Sequence, residues 1–172
     1  MGGLSTLLAA NQALFTLSAG GGRELRVIRF TASEALSGLF EVNIELAGPE
    51  MEMDDIIDTP MTLEIASIDT HRFISGVCVS FEYVGTTREL QRYEAQIVPW
   101  IWRLQFRQSS RIFQDMSTPD IIKKVLADAG MASSGFRLDL SETYEPRNYC
   151  VQYQESDLAF LSRLLEEDGI FY

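Results

Sequence analysis

At 172 residues the chain is long enough for one medium domain, or one domain and the start of another, with a core that needs neither disulfides nor metals. Lys plus Arg number 14 against 25 Asp plus Glu, a net charge of −11 that repels phosphate backbones, and no basic stripe offsets it. Nucleic acid is therefore not expected as a partner. Two cysteines, Cys78 and Cys150, make no disulfide framework and point to reduced thiols in a cytosolic protein.

The first basic residue is Arg23, and Asn11 and Gln12 interrupt the apolar stretch from Leu7 to Ala10, so neither a signal peptide nor a membrane span is expected. Met1, Gly2 and Thr6 fit the short N-myristoylation pattern, which requires a eukaryotic host. From about Leu14 to Phe106 strands follow one another. The first two, around Leu14 to Leu17 and Leu25 to Phe30, are joined by the flexible connector Ala19 to Gly22. Phe40, Val42, Ile44 and Leu46 alternate with Glu41, Asn43 and Glu45, the clearest half-buried strand, which Gly48-Pro49 ends. Met51 to Asp58 is acidic and reads as a loop with one helical turn. Met61, Leu63 and Ile65 open the next strand, and Ile68-Asp69-Thr70 turns it back.

The long run from Phe73 to Val84 puts Val77, Val79, Phe81 and Tyr83 on one face and Cys78, Ser80 and Glu82 on the other. Gly85-Thr86-Thr87 reads as its turn, and Gln91, Tyr93, Ala95 and Ile97 line one face of the return strand. After Pro99, Trp100, Trp102, Leu104 and Phe106 alternate with Ile101, Arg103, Gln105 and Arg107, which fits a strand better than a helix. Thr118 as N-cap, Pro119 and Asp120 then begin a helix with the stripe Ile121, Ile122, Val125, Leu126 and Ala129, ended by Gly130.

Phe136, Leu138 and Leu140 suggest a short strand. Tyr149, Val151 and Tyr153 suggest another, with Cys150, Gln152 and Gln154 on its polar face. Ser156 and Asp157 cap a helix to about Asp168, whose stripe Leu158, Phe160, Leu161, Leu164 and Leu165 is worth on the order of 10 kcal/mol on burial, as an upper bound. Gly169 is placed for a left-handed C′ residue, and Ile170-Phe171-Tyr172 reads as the opening of a further strand. The expected class is α+β, mainly β: an antiparallel barrel-like domain over residues 1–114, then an α/β extension over 115–172.

The search for chemistry is mostly negative. His71 is the only histidine and lies beside a turn, so zinc motifs and triads lack their parts, and no metal or other cofactor is expected. There is no phosphate-binding glycine loop, and Glu50, Glu52, Asp54, Asp55 and Asp58 lack EF-hand spacing. No catalytic residue is assigned. Trp100 and Trp102 beside Arg103, Arg107 and Arg111 have the composition of protein interfaces and are the candidate interface residues, with core packing as the alternative for the rings.

Four segments, Phe30 to Leu46, Tyr93 to Trp102, Ser110 to Ile122 and Tyr149 to Tyr172, closely resemble in sequence and order the N-terminal region of VgrG, the spike protein family of bacterial type VI secretion. The resemblance implies a phage tail hub-like fold with two related barrels, the second only begun at Ile170. It implies a homotrimer that joins a hexameric Hcp-like tube to a spike, with baseplate proteins and effector or adaptor proteins as further partners. It implies a mechanical, non-enzymatic part, assembled in the cytoplasm and then secreted. A phage or prophage baseplate hub is the alternative, and a cell-wall hydrolase a more distant one. Alone, these residues are expected to trimerise weakly or not at all.

Overall fold

The structure is a computed structural model, and it describes residues 14–19, 22–67, 69–87 and 90–172. The features read at Met1 to Gln12, at Gly20-Gly21 and at Ile68 lie outside the described residues. Two compact units emerge: residues 14–34 with Leu39–Trp100, and Ala35–Gly38 with Ile101–Tyr172.

The first unit contains β1 (Leu14–Ala19), β2 (Arg23–Ser33), β3 (Glu41–Gly48), β4 (Pro60–Ala66), β5 (His71–Thr87) and β6 (Leu90–Val98). All pair antiparallel and close into a barrel in the order β1, β2, β3, β6, β5, β4, which removes the free edges that an open sheet exposes. The period of two read in β3 and β6 sets their facing. Val42, Ile44 and Leu46 lie opposite Ile97, Ala95 and Tyr93, and all six are buried. Leu17, Leu25, Met61, Leu63 and Ile74 complete the core from the other strands.

The acidic loop contains one turn of 3-10 helix, Met53–Asp55, as expected. Ile56 is fully buried, and the buried Tyr93 hydroxyl accepts from Met51 N at 3.0 Å while lying 3.2 Å from Pro49 O. Core packing thus pins both sides of the turn.

In β5 the expected facing holds only in part. Register shifts between Cys78 and Ser80 and between Tyr83 and Gly85 leave Val79 and Val84 as extra residues. Cys78 therefore joins the core instead of the polar face, and Tyr83 is 53% exposed. Gly85 to Thr87 remain in the ladder, with Thr87 opposite Leu90, so the turn expected at these three residues is not there. Burial pushes the Cys78 thiol up to about 11, and desolvation raises Cys150 as well. Both should stay silent to a thiol reagent such as DTNB in the native protein and react together with unfolding; rapid native labelling of Cys78 would contradict its place in the core.

Within the barrel wall, Glu45 of β3 is held by Arg29 Nε of β2 at 2.6 Å and by Arg92 of β6, with its side chain only 5% exposed. The hydrogen bond from Arg92 is the main cause that keeps its pKa below the usual glutamate value. A depressed carboxylate pKa stabilises the fold above the unfolded value, about 4.3, and that contribution is lost as pH falls through the lower native value. Urea titrations from about pH 6 down to about pH 3 should accordingly show a steeper acid-side loss in the wild type than in Glu45→Gln. Equal slopes would mean that the pair is uncoupled from folding.

The second unit contains β7 (Gln108–Phe113), α1 (Thr118–Asp128), β8 (Cys150–Ser156) and α2 (Asp157–Glu167). Both helices are found where their caps predict. Ser117, rather than Thr118, caps α1 and accepts from Asp120 N; Ser156 caps α2 and accepts from Ala159 N at 3.1 Å. Gly130 and Gly169 take positive φ, 88° and 68°, just past their helices.

Three expected strands are not formed. Trp100–Phe106 is a 3-10 helix with Leu104 buried, since its aromatic alternation has no partner strand and the Ile101/Leu104 spacing of three suits the tighter helix. Phe136, Leu138 and Leu140 keep their alternation but pair with no strand among the described residues; with α1 and α2 residues they line an apolar space of about 540 Å³. Ile170-Phe171-Tyr172 is not a strand either, and Tyr172 O accepts from Ser37 N at 2.8 Å.

Candidate functional site

Among the described residues no group of His, Cys, Asp and Glu is placed to hold a metal ion, and no helix is long and apolar enough to cross a membrane. His71 is exposed on the outer face of the barrel, with Nδ1 2.7 Å from Glu64 Oε1 and its ring stacked on Phe73.

The interface candidates separate. Trp100 ends the first unit and is half-buried. Trp102 meets Phe106 edge to face at 4.7 Å, and Phe106 is 67% exposed. Arg103 is half-buried. Arg107 and Arg111 converge on a residue that sequence pattern marks only as a first-turn acid, Asp157.

Asp157 is fully buried at the start of α2. Arg107 Nε reaches its Oδ2 at 3.0 Å, Arg111 Nη2 its Oδ1 at 2.5 Å, and Gln152 Nε2 the same oxygen at 2.8 Å. The backbone N–H of Asp157 donates to Arg107 O at 2.8 Å. The free ends of both arginines reach the end of α1: Arg107 Nη2 binds Asp128 O at 3.0 Å and Arg111 Nη1 binds Asp128 Oδ2 at 3.2 Å. β7 with its leading residue, β8 and α2 thereby meet on one carboxylate, and the two arginines tie α1 to it through Asp128. A buried charge survives only when paired and hydrogen-bonded, and here each carboxylate oxygen has an arginine.

A second internal clamp is Arg147. Its guanidinium binds Thr118 Oγ1 at 3.0 Å, Glu167 at 2.7 Å and Asp168 at 2.8 Å, tying the start of α1 to the end of α2.

The Asp157 network turns β8 over relative to the facing expected from sequence. Cys150 and Gln152 point inward, where Phe113 of β7 stacks on Phe160 of α2 at 5.5 Å, while Tyr153 is 69% and Tyr149 58% exposed. Gln152 is buried because it is bonded to Asp157 and to Arg111 Nε, so satisfied polar atoms take the inner side and the aromatic alternation takes the outer one. Across the ribbon, Ile112 lies opposite Val151 and is 60% exposed. The sequence signal for this outer face is the alternation itself, with its sign reversed.

Comparison with known proteins places these features in a family. The model of the phage tail baseplate hub (GPD) family matches residues 33–172. The type VI secretion system spike protein VgrG1c of Pseudomonas aeruginosa is 34% identical over 151 residues, which cover 86% of this chain and 20% of that protein. VgrG5 of the same organism is 35% identical over 167 residues, covering 95% and 21%. The chain thus spans about a fifth of the length of these curated relatives.

Among solved structures, the E. coli c3393 protein, a component of the type VI secretion system with structural similarity to the T4 bacteriophage tail proteins gp27 and gp5, superposes with a TM-score of 0.77 at 26% identity, covering 88% of this chain and 42% of that one. A tail protein of Neisseria meningitidis shares the fold, with a TM-score of 0.66 at 13% identity and 91% and 46% coverage. The resemblance to VgrG read from the four sequence segments is borne out. The chain belongs to the phage tail baseplate hub family.

Proposed function

We propose that this chain is the hub portion of a type VI secretion spike, a structural and non-enzymatic subunit that joins a tube to a puncturing spike. The observation that carries this most directly is the match of the hub family over residues 33–172, together with spike-protein relatives at 34% and 35% identity. The geometry agrees with mechanical work: a closed barrel leaves no strand edge to fray, and a second unit is cross-tied by buried ion pairs. In this proposal three copies associate around an axis, since closed cyclic symmetry is the common solution for such rings. An Hcp-like tube protein, baseplate proteins and effectors or adaptors are the partners, and the protein leaves the cell with the spike after assembly in the cytoplasm.

The test is genetic and biochemical. Deleting the gene in its host should abolish appearance of the tube protein in the medium, and the wild-type gene should restore it. Secretion unchanged by the deletion overturns the proposal. Turnover of cell-wall polymer by the purified protein, lost on mutating one Asp or Glu, would replace it with the hydrolase alternative.

A further inference from the structure

We propose that the outward face of the β7–β8 ribbon, carried by Ile112, Tyr149, Val151 and Tyr153, is a contact surface between copies of this chain; the inference rests on the hub assignment above. In a half-buried ribbon the apolar side ordinarily faces the core. Here the inner side carries the Asp157–Arg107–Arg111–Gln152 network beside Phe113 and Cys150, and a second apolar set is left on the outer side with its two tyrosines and Ile112 in water. Tyr149, Ile112 and Tyr153 are 58%, 60% and 69% exposed, and tyrosine is enriched where proteins meet.

Charge argues that the occupant is another copy. In a chain of net charge −11, two copies repel over most of their surfaces. The outward positions of this ribbon, Gln108, Ser110, Ile112, Val151 and Tyr153, carry no charge at all, so copies can approach there without desolvating or opposing carboxylates. Area argues in the same direction. The exposed side chains offer roughly 300–400 Å², against the roughly 800 Å² per partner of a stable two-body interface. Such a patch holds only a neighbour already kept close by other contacts, which is the situation of subunits around a common axis.

The experiment places the photocrosslinker p-benzoylphenylalanine at position 153 of the protein as its host produces it, in a mixture of unlabelled and ¹⁵N-labelled copies. The expected product is a dimeric adduct whose cross-linked peptides pair light with heavy chains. The same crosslinker at Asp139, exposed in the same unit, should give no copy-to-copy adduct. The double variant Ile112→Glu/Tyr153→Glu should raise the midpoint concentration of assembly at least tenfold, with an unchanged thermal melt. A preparation multimeric by light scattering that gives no copy-to-copy adduct at 153, or gives one only to a different protein, overturns the contact and leaves the hub assignment standing. A preparation that remains monomeric overturns both.

Discussion

Replacing Asp157 with Ala is expected to cost the second unit about 3–5 kcal/mol, the range found when one partner is removed from a buried ion pair. The value follows from what remains: the Arg111 guanidinium, its side chain only 20% exposed, and the fully buried Gln152 amide would each lose one of their acceptors, and Arg107 would lose its side-chain bond to the start of α2. Whole-domain stabilities are only 5–15 kcal/mol, so this loss would show as early opening of β7, β8 and the helices. Native-state amide exchange resolves it by element, with protection falling in residues 101–172 and persisting in the barrel. Asp157→Asn, which keeps shape and some hydrogen bonding, should fall between wild type and Ala. A change below about 1 kcal/mol, the size seen for exposed pairs, would mean that the network is ornamental.

Gly76→Ala should damage the barrel through crowding. A Cβ at Gly76 would stand 2.3 Å from Val98 O and 2.8 Å from Ile97 Cγ2. The first of these atoms is backbone, beside the Val77↔Val98 pairing of β5 with β6, so relief requires the two strands to part. Overpacking typically costs 1–3 kcal/mol, and a clash with main chain belongs at or above the top of that range, about 3 kcal/mol or more. Urea unfolding followed by the buried Tyr93 should show a lowered midpoint. Gly38→Ala is the control, since its nearest contact is the Ala35 methyl at 3.1 Å. Equal midpoints for the two variants would contradict the close approach.

Much of the barrel is legible in the chain because its signals are local and agree with packing. Val42, Ile44 and Leu46 against Tyr93, Ala95 and Ile97 read the same way in sequence and in space, and Ser156, Asp157 and Gly169 mark α2 at both ends. The failures have a common cause: a tertiary partner decides the outcome. Bulges in β5 move Cys78 into the core, and no periodicity announces them. Trp100 to Phe106 and Phe136 to Leu140 alternate like strands but have no strand beside them. The interface candidates show the same limit. Composition groups Arg107 and Arg111 with the tryptophans, whereas the fold spends them on Asp157, a residue that lies 46 positions from Arg111. The apolar face with the strongest claim to a partner was instead the one expected to be buried.

The central claim is most directly tested by counting this protein in purified sheath–tube particles from its host, using quantitative mass spectrometry against the tube subunit. A hub of a single spike predicts three copies per particle, constant as tube length varies. Absence from the particles, or a copy number that grows with tube length, would contradict it.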